Sequence, residues 1–244
     1  MIINPYRFAT AAGDPVSNPL HWWDLDSLTG GLDDQGSGAW ASLTNVGCVV
    51  NSGGGQNSQD CVEWDAAGDY LHMTTDQAWD GSSTDEVSVS FWIGDSRVSA
   101  GNVTLFSWRK QSGDRLIYID KFRASPDYAR PIIFDASDSL LITGDTDGDI
   151  TGTGWHHIVM TYDGTTNSVY VDGTLADSDS GSLGSFDTNA LPFAIGTPSW
   201  GKGSTGTTAY TGKMANFGIY DYPLSADDVT YLYNSGSGRA YADL

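Results

Sequence analysis

The sequence predicts an all-β protein built as a sandwich or a barrel, and three observations support this fold class. Residues 155–162 and 169–171 are rich in β-branched and aromatic side chains and flank a polar loop opened by Asp163-Gly164, which predicts a hairpin. Similar short runs recur along the chain between Gly, Asp and Ser turns. Nearly all of the 31 acidic residues are aspartates, which favour loops over helices.

The length of 244 residues suits one domain with a sizeable core. Residues 1–18 contain Pro5, Gly13 and Pro15 without hydrophobic periodicity, so they are interpreted as an N-terminal arm that contacts a neighbour or the domain. Residues 19–244 are predicted to form a single β-sandwich domain.

The remaining strands follow from alternating or continuous apolar runs between turn residues. Residues 87–93 alternate as a half-buried strand does. The other predicted strands are 20–26, 43–46, 64–71, 105–108, 116–119, 131–134, 140–142, 193–195 and 210–220.

One short helix is predicted near the C-terminus. Ser225 is a favourable N-cap with Asp228 at the third helical position, and Leu224 and Val229 are spaced as a hydrophobic staple. Gly236 is the expected stop.

The net charge of −20 argues against nucleic-acid binding, because a strongly negative surface repels phosphate backbones. No apolar run approaches the roughly 20 residues of a membrane-spanning helix, so membrane insertion is not predicted. The first 15 residues contain no apolar segment typical of a secretory signal. Cys48 and Cys61 bracket a Gly/Ser/Asn-rich loop and form either a disulfide or two buried thiols.

Several motifs together resemble the laminin-G-like jelly rolls of the concanavalin A-like lectin and glucanase superfamily. They are the Trp-His-His-Ile strand at 155–158 with its Asp-Gly turns, the segment 64–71, the closing strand 210–220 and the helix after it. The resemblance extends over about residues 20–236 and implies a two-sheet antiparallel jelly-roll sandwich. Many relatives bind structural calcium, but this chain has Ala215-Asn216 where they have Asp-Glu.

Glycoside hydrolysis is the first enzymatic alternative, since glucanases of this fold need two facing carboxylates. Glu63-Trp64-Asp65 is the nearest match to their E-x-D-x-E strand, but Ala67 replaces the second glutamate. His156 and His157 are adjacent on a strand and point to opposite faces, so they are interpreted as framework residues. The chain is therefore predicted not to be an enzyme.

Residues 196–202 satisfy G-x-x-x-x-G-K, yet Gly203 stands where a phosphate-binding loop has Ser or Thr. The segment is interpreted as an exposed loop and a recognition surface. Trp200, Lys202, Tyr210 and Trp108 are the candidate ligand-binding residues, because aromatic rings stack on sugar faces. Burial of Trp200 in the core is the alternative.

Weak calcium binding is a further hypothesis. Asp145, Asp147 and Asp149 alternate as in the first part of a calcium loop, although His156 occupies the position of its final glutamate. Asp34, in a loop that resembles the family's D-x-S-G, is another candidate ligand.

Two classes of function are favoured. The first is a non-catalytic structural or adhesion protein of a bacteriophage virion, with other virion proteins as partners; residues 4–8 resemble the start of some phage structural proteins, and a virion component needs no export signal. The second is an extracellular lectin-like module that binds cell-surface glycans, with calcium as a possible aid. A glycoside hydrolase is the weakest alternative.

Overall fold

A computed structural model describes residues 16–38, 40–82, 85–94, 102–111, 113–122, 126–143, 148–152, 154–199 and 209–244. Two antiparallel sheets of eight and seven strands pack face to face, and one short helix follows the last strand. The all-β jelly-roll prediction is thus confirmed, together with its C-terminal helix. The stretch 64–71, predicted as one strand, is instead the connection between Cys61–Trp64 and Tyr70–His72, two strands that lie in different sheets.

We call the eight-stranded sheet the back sheet and the seven-stranded one the front sheet. The back sheet has the order β13-β12-β11-β6-β15-β4-β3, and β1 pairs with β15 beside that path. Its strands are β1 (His21–Trp23), β3 (Val49–Asn51), β4 (Cys61–Trp64), β6 (Val87–Gly94), β11 (His156–Tyr162), β12 (Thr166–Val171), β13 (Thr174–Ser180) and β15 (Gly212–Tyr220).

The front sheet has the order β10-β9-β8-β7-β14-β5-β2. Its strands are β2 (Thr44–Val46), β5 (Tyr70–His72), β7 (Val103–Arg109), β8 (Arg115–Phe122), β9 (Tyr128–Phe134), β10 (Leu140–Ile142) and β14 (Phe193–Ile195). Strands β7 to β10 are consecutive in sequence and adjacent in space, so the centre and one flank of this sheet are built from local hairpins.

The predicted hairpin is the β11–β12 pair, in which Ile158 lies opposite Val171 and Tyr162 opposite Asn167. The second Asp-Gly, Asp172-Gly173, has positive φ values of 52° and 80° and makes the tight turn into β13. Such a turn requires φ > 0 at both central positions, which is why Asp-Gly occurs there.

The inner faces of both sheets form one aromatic-rich core. Alternate residues of the central strands point into it, including Phe91 of β6, Phe106 of β7 and Phe217 of β15. Ring centroids of Phe106 and Phe217 lie 5.0 Å apart across the sandwich. Both sheets are held rigidly by this packing, which fixes the side chains on their outer faces.

The outer face of the back sheet is covered by helix α1 (Ala226–Tyr233). Val229 and Leu232 pack on Trp22 and Tyr220. The predicted capping box is present, with Ser225 as N-cap and Asp228 at the third position. The helix ends earlier than predicted, because Asn234 adopts the left-handed conformation (φ 49°) and takes the C-cap role assigned to Gly236.

Cys48 and Cys61 are both free and buried, so the disulfide alternative does not hold. In the β3–β4 register Asn51 lies opposite Cys61, three residues after Cys48. Strand alternation over three residues turns the two thiols to opposite faces: Cys48 packs in the main core and Cys61 against Trp92. Separately, no helix in the described part of the chain is long and apolar enough to cross a membrane.

Candidate functional site

The outer face of the front sheet, which we call the front face, has no helix over it among the described elements and combines polar, basic and aromatic side chains. One cross-strand row runs from Thr104 of β7 through Asp120 of β8 to Arg130 of β9. A second row places Ser107 directly opposite Tyr118. These positions alternate with core residues such as Ile117 and Ile119, so they share the outward face.

Three arginines on this face each lie over an aromatic ring. Arg109 is 4.5 Å from the Tyr118 ring centroid and 5.7 Å from that of Phe134. Arg115 is 5.3 Å from the Phe134 centroid. At the other end of the strands, Arg130 is 4.2 Å from the Phe122 ring, which stacks on Tyr128 at 5.2 Å. We call this set of three arginines and their rings the arginine band.

The middle of the arginine band is fixed by hydrogen bonds. The Arg130 guanidinium donates to both carboxylate oxygens of Asp120, at 3.0 and 2.7 Å. Burial raises the pKa of Asp120, and the hydrogen bonds from Arg130 oppose that effect. Thr104 Oγ1 and the Tyr118 hydroxyl lie 3.1 Å apart. The side chains are therefore preorganised before any ligand arrives.

Arg109 and Arg115 end the β7–β8 hairpin and face each other across it. The turn between them is closed by an ion pair of Lys110 and Asp114, with Nζ and Oδ2 2.6 Å apart. Burial lowers the pKa of Arg109 to about 10, and the neighbouring Arg115 adds to the effect. Two like charges directly opposite each other on adjacent strands are unfavourable.

The segment 196–202, predicted as an exposed recognition loop, begins beside this hairpin. The predicted exposure is wrong for its described part, since Thr197 and Ser199 are buried. The Ser199 hydroxyl lies 2.9 Å from that of Ser107 and donates to the Arg109 carbonyl at 2.6 Å. The described part of this segment therefore ends at Ser199, next to front-face residue Ser107. Trp200 and Lys202 lie outside the described residues, and their roles stay predictions.

The other two predicted ligand-binding residues are in the interior. Trp108 has no exposed surface, packs on Phe193 and donates from Nε1 to the Gln77 carbonyl at 3.0 Å. Tyr210 is equally buried, with its hydroxyl 2.9 Å from the Lys213 carbonyl. A ring without exposed surface cannot stack on a ligand, so both assignments are corrected: these residues build the core.

Asp34, predicted as a calcium ligand, is also structural. Its Oδ2 accepts hydrogen bonds from His21 Nδ1 at 2.7 Å and the Trp40 amide at 2.6 Å, and its Oδ1 accepts from the amides of Trp22 and Gly36. The carboxylate is fully buried and both oxygens are engaged, which leaves no position for a cation.

The remaining calcium candidates fall partly outside the described residues. Asp145 and Asp147 are outside, whereas Asp149 is exposed and accepts a hydrogen bond from the Thr151 amide at 2.8 Å. Within the ranges that the structure describes, no group of three or more His, Cys, Asp or Glu side chains is arranged to hold a metal ion.

The residues considered for acid–base chemistry make structural contacts on the back sheet. Glu63 of β4 accepts a hydrogen bond from the Asn51 amide, and Asp65 is exposed in the turn that follows. His157 is buried with Nε2 2.9 Å from the Ser90 hydroxyl and its ring stacked on Trp92. His156 Nδ1 pairs with Asp172 Oδ2 at 2.9 Å.

The arginine band was not predicted, although the sequence contains a signal for it. Residues 109–130 hold six of the eleven basic residues and only three acids, in a chain with a net charge of −20. Charge clustering of this kind in an acidic protein indicates a binding surface. Which side chains share a face became visible only with the strand register.

Structures of known proteins share this fold. Domain 4 of AbnA, a GH43 extracellular arabinanase from Geobacillus stearothermophilus solved with arabinotriose, aligns with a TM-score of 0.63 and 16% identity over 88% of this chain and 97% of that one. The binding domain of Paraclostridial mosquitocidal protein 1 aligns with a TM-score of 0.68 and 18% identity over 90% of this chain and 52% of that one.

A third similar structure is the botulinum neurotoxin serotype D ligand-binding domain in complex with N-acetylneuraminic acid, with a TM-score of 0.60 and 16% identity. The alignment covers 89% of this chain and 50% of that one, so our chain spans about half the length of the toxin binding domains. At these identities the likeness is one of fold. No curated protein sequence matches the chain significantly.

The sequence itself identifies the family. Residues 65–230, more than half of the chain, match the family model described as the concanavalin A-like lectin/glucanases superfamily. This agrees with the two antiparallel sheets, their strand order and the capped C-terminal helix. The chain belongs to the concanavalin A-like lectin/glucanase superfamily.

Proposed function

We propose that this domain is a non-catalytic module that binds carbohydrate on its front face. The observation that supports this most is the arginine band, in which Arg109, Arg115 and Arg130 each lie over an aromatic ring on one rigid sheet face.

The chemistry of the band suits sugars. Aromatic rings stack on the apolar faces of pyranoses, and guanidinium groups donate several hydrogen bonds in fixed directions to hydroxyl and ring oxygens. Phe122, Tyr128 and Tyr118 are partly exposed, so each offers some of its surface to a ligand. The rings and guanidinium groups are carried by β7, β8 and β9, which are adjacent strands packed on the core. Because these strands are already ordered, little conformational entropy is lost on binding.

The similar structures support the same class of ligand. The arabinanase domain was solved with an arabinotriose and the serotype D toxin domain with N-acetylneuraminic acid, so two proteins of this fold hold sugars. Applied to this chain, that likeness favours a binding role at a surface outside the cell.

A glycan array probed with the purified protein, with and without millimolar calcium, tests the proposal. We expect binding to a defined set of glycans and a loss of about tenfold in affinity for Phe122→Ala, since this ring lies under Arg130 and stacks on Tyr128. Tyr231→Ala is the matched control, because Arg239 lies 3.7 Å over that ring on the helix side of the molecule. A blank array under both conditions would refute carbohydrate binding.

The roles predicted for Trp200 and Lys202 belong to this proposal. Both residues closely follow Ser199, which is hydrogen-bonded to Ser107 and Arg109 on the front face. We expect Trp200→Ala and Lys202→Ala to weaken glycan binding without changing the melting temperature. Lowered melting temperatures for Trp200→Ala would instead indicate that its ring is part of the core.

Calcium assistance is proposed only for the loop that contains Asp145, Asp147 and Asp149. Calorimetric titration of the metal-free protein with millimolar calcium should give weak binding that Asp149→Asn reduces further. Absence of heat together with an unchanged melting temperature would remove calcium from the proposal.

A virion location is the second proposal, and the attachment of the arm favours it. Val16 packs with Trp22 and Tyr220 on the outer side of the back sheet, and the Tyr222 hydroxyl donates to the Ser17 carbonyl at 2.8 Å. The described end of the arm, at Val16 and Ser17, thus lies on the side away from the front face. In the proposed arrangement, that side attaches to other virion proteins and the front face meets glycans. Mass spectrometry of purified particles tests this, and absence of the protein from them would reject it.

A further inference from the structure

We propose that Arg109 and Arg115 form a subsite for an acidic group on the bound sugar, either a carboxylate or a sulfate ester. This inference rests on the proposed carbohydrate binding and specifies its ligand class. The two arginines lie opposite each other at the end of the β7–β8 hairpin.

The two arginines converge on a single ring. They face each other across the last pair of the hairpin, and their guanidinium carbons lie 5.7 and 5.3 Å from the centroid of Phe134. Phe134 is 2% exposed, so its ring is not itself a stacking surface. Both guanidinium groups lie close to this one ring, and an anion bound beside it would be near both cations.

The Asp138 carboxylate lies beside Arg115 but forms no hydrogen bond with its Nε. Arg115 Nε and Asp138 Oδ1 are 3.8 Å apart, and among the described residues neither atom has a hydrogen-bond partner. The Arg115 terminal nitrogen donates instead to the Gln111 carbonyl at 3.0 Å. Guanidinium groups bind carboxylates and sulfates best through two parallel N–H bonds, so an incoming anion makes a better partner than Asp138 at this distance.

The surroundings favour a single acidic group on a sugar over an extended polyanion. Arg130 at the other end of the arginine band is already neutralised by two hydrogen bonds to Asp120. Beside it, Phe122 and Tyr128 offer stacked rings for a neutral sugar unit. The protein as a whole has a net charge of −20, which opposes a long polyanion lying across several strands.

Matched pairs of ligands test the inference. Affinities are measured by calorimetry for lactose against 3′-sialyllactose, and for a galactose oligosaccharide against its sulfated form. We expect at least one acidic member to bind about tenfold more tightly than its neutral partner at about 0.15 M salt. The carboxylate and sulfate arms identify which acidic group is preferred.

Two substitutions with opposite expected effects on the acidic-to-neutral affinity ratio then locate the subsite. Arg115→Gln should reduce the acidic-to-neutral affinity ratio about tenfold, whereas Asp138→Asn should increase it, because it removes the carboxylate that competes for Arg115. Arg239→Gln removes the same charge on the helix side and should leave the ratio unchanged. Melting temperatures verify that each variant is folded.

The outcomes separate this inference from the proposed function. Equal binding of acidic and neutral partners, or an unchanged ratio in Arg115→Gln, would overturn the acidic subsite and leave carbohydrate binding intact. Binding of no sugar of either class would overturn both. Tighter binding of a single-stranded oligonucleotide, abolished by Arg115→Gln, would assign the arginine pair to phosphate and reject the sugar acid.

Discussion

His21 Nδ1 lies 2.7 Å from Asp34 Oδ2, and neither side chain has any exposed surface. The second ring nitrogen of His21 lies 2.9 Å from Asp80 Oδ1, and the Trp40 ring covers the imidazole at 3.6 Å. Trp40 also donates from Nε1 to Asp80 at 2.9 Å. This ion cluster joins β1 to the loops at residues 34–40 and 80, at one end of the sandwich.

The His21–Asp34 pair predicts an alkaline loss of stability. Burial alone lowers the pKa of His21, but the hydrogen bonds and charges of Asp34 and Asp80 outweigh it, so the pKa is raised. The folded state thus keeps a proton that the unfolded chain releases above its pKa of about 6.5, and the stabilisation disappears as pH rises through the folded pKa. The free energy of unfolding in urea should therefore fall as the pH rises above about 6.5.

Asp34→Asn is the informative variant for this prediction. It should lower stability near pH 6.5 and flatten the alkaline decline, since the pKa of His21 is then no longer raised by that carboxylate. Asp179→Asn, on exposed strand β13, should behave as wild type. The pKa of Asp34 is itself lowered: burial raises it, and the hydrogen bonds from His21 and backbone amides more than compensate. The contribution of the Asp34 carboxylate to the free energy of unfolding is therefore lost only as pH falls below about 4. An identical alkaline slope in wild type and Asp34→Asn would contradict the ion-pair interpretation.

His157 predicts a loss of stability at acid pH. Burial lowers its pKa to about 3, so the folded state excludes a proton that the unfolded chain accepts below about pH 6.5. Stability should therefore decrease by roughly 3 kcal/mol between about pH 6.5 and 4.5 from this group alone. In His157→Gln, urea unfolding at the same pH values should give a shallower acid slope. His21 contributes to the pH dependence above about pH 6.5 and His157 below it. Asp34→Asn should therefore change the alkaline slope of stability against pH, and His157→Gln the acid slope.

The two thiols should be unreactive in the folded protein. Burial raises the pKa of both groups, that of Cys61 to about 11, so little thiolate forms at neutral pH. A chromogenic thiol reagent should detect no reactive thiol in native protein at pH 8 and two per chain in denaturant, with or without prior reduction. Two thiols that appear only after reduction would instead indicate a disulfide.

The parts of the fold that were predictable from sequence are those determined by local contacts. The β11–β12 hairpin follows from its Asp-Gly turns, and the Ser225 cap follows from a spacing of three residues to Asp228. Strand β13 was not predicted, because Thr174–Ser180 lies at the edge of the back sheet and has no buried face to impose alternation. The same reason applies to β3, where Val49 and Val50 are both exposed.

The candidate site depended on information that the sequence does not display locally. Trp108 was favoured as a ligand-binding residue because large aromatics serve binding and core packing alike, and only the packing of the two sheets distinguishes these roles. Arg109 and Arg115 are six residues apart, and their convergence over Phe134 depends on the register of three strands and a bulge near Arg109.

The core assignment of Trp108 gives a final prediction. Its ring packs on Trp40, Trp79 and Phe193, and truncation would leave a large cavity between the sheets. Trp108→Ala should lose about 3–5 kcal/mol of unfolding free energy in urea. Trp108→Phe should lose less, because it keeps a ring against Phe193 and gives up the hydrogen bond to Gln77, whose carbonyl still accepts from the Leu191 amide at 2.8 Å. In the folded fraction of Trp108→Phe, glycan affinity should equal that of wild type, since the ring faces away from the front face. Weakened binding with unchanged stability would restore Trp108 as a ligand-binding residue.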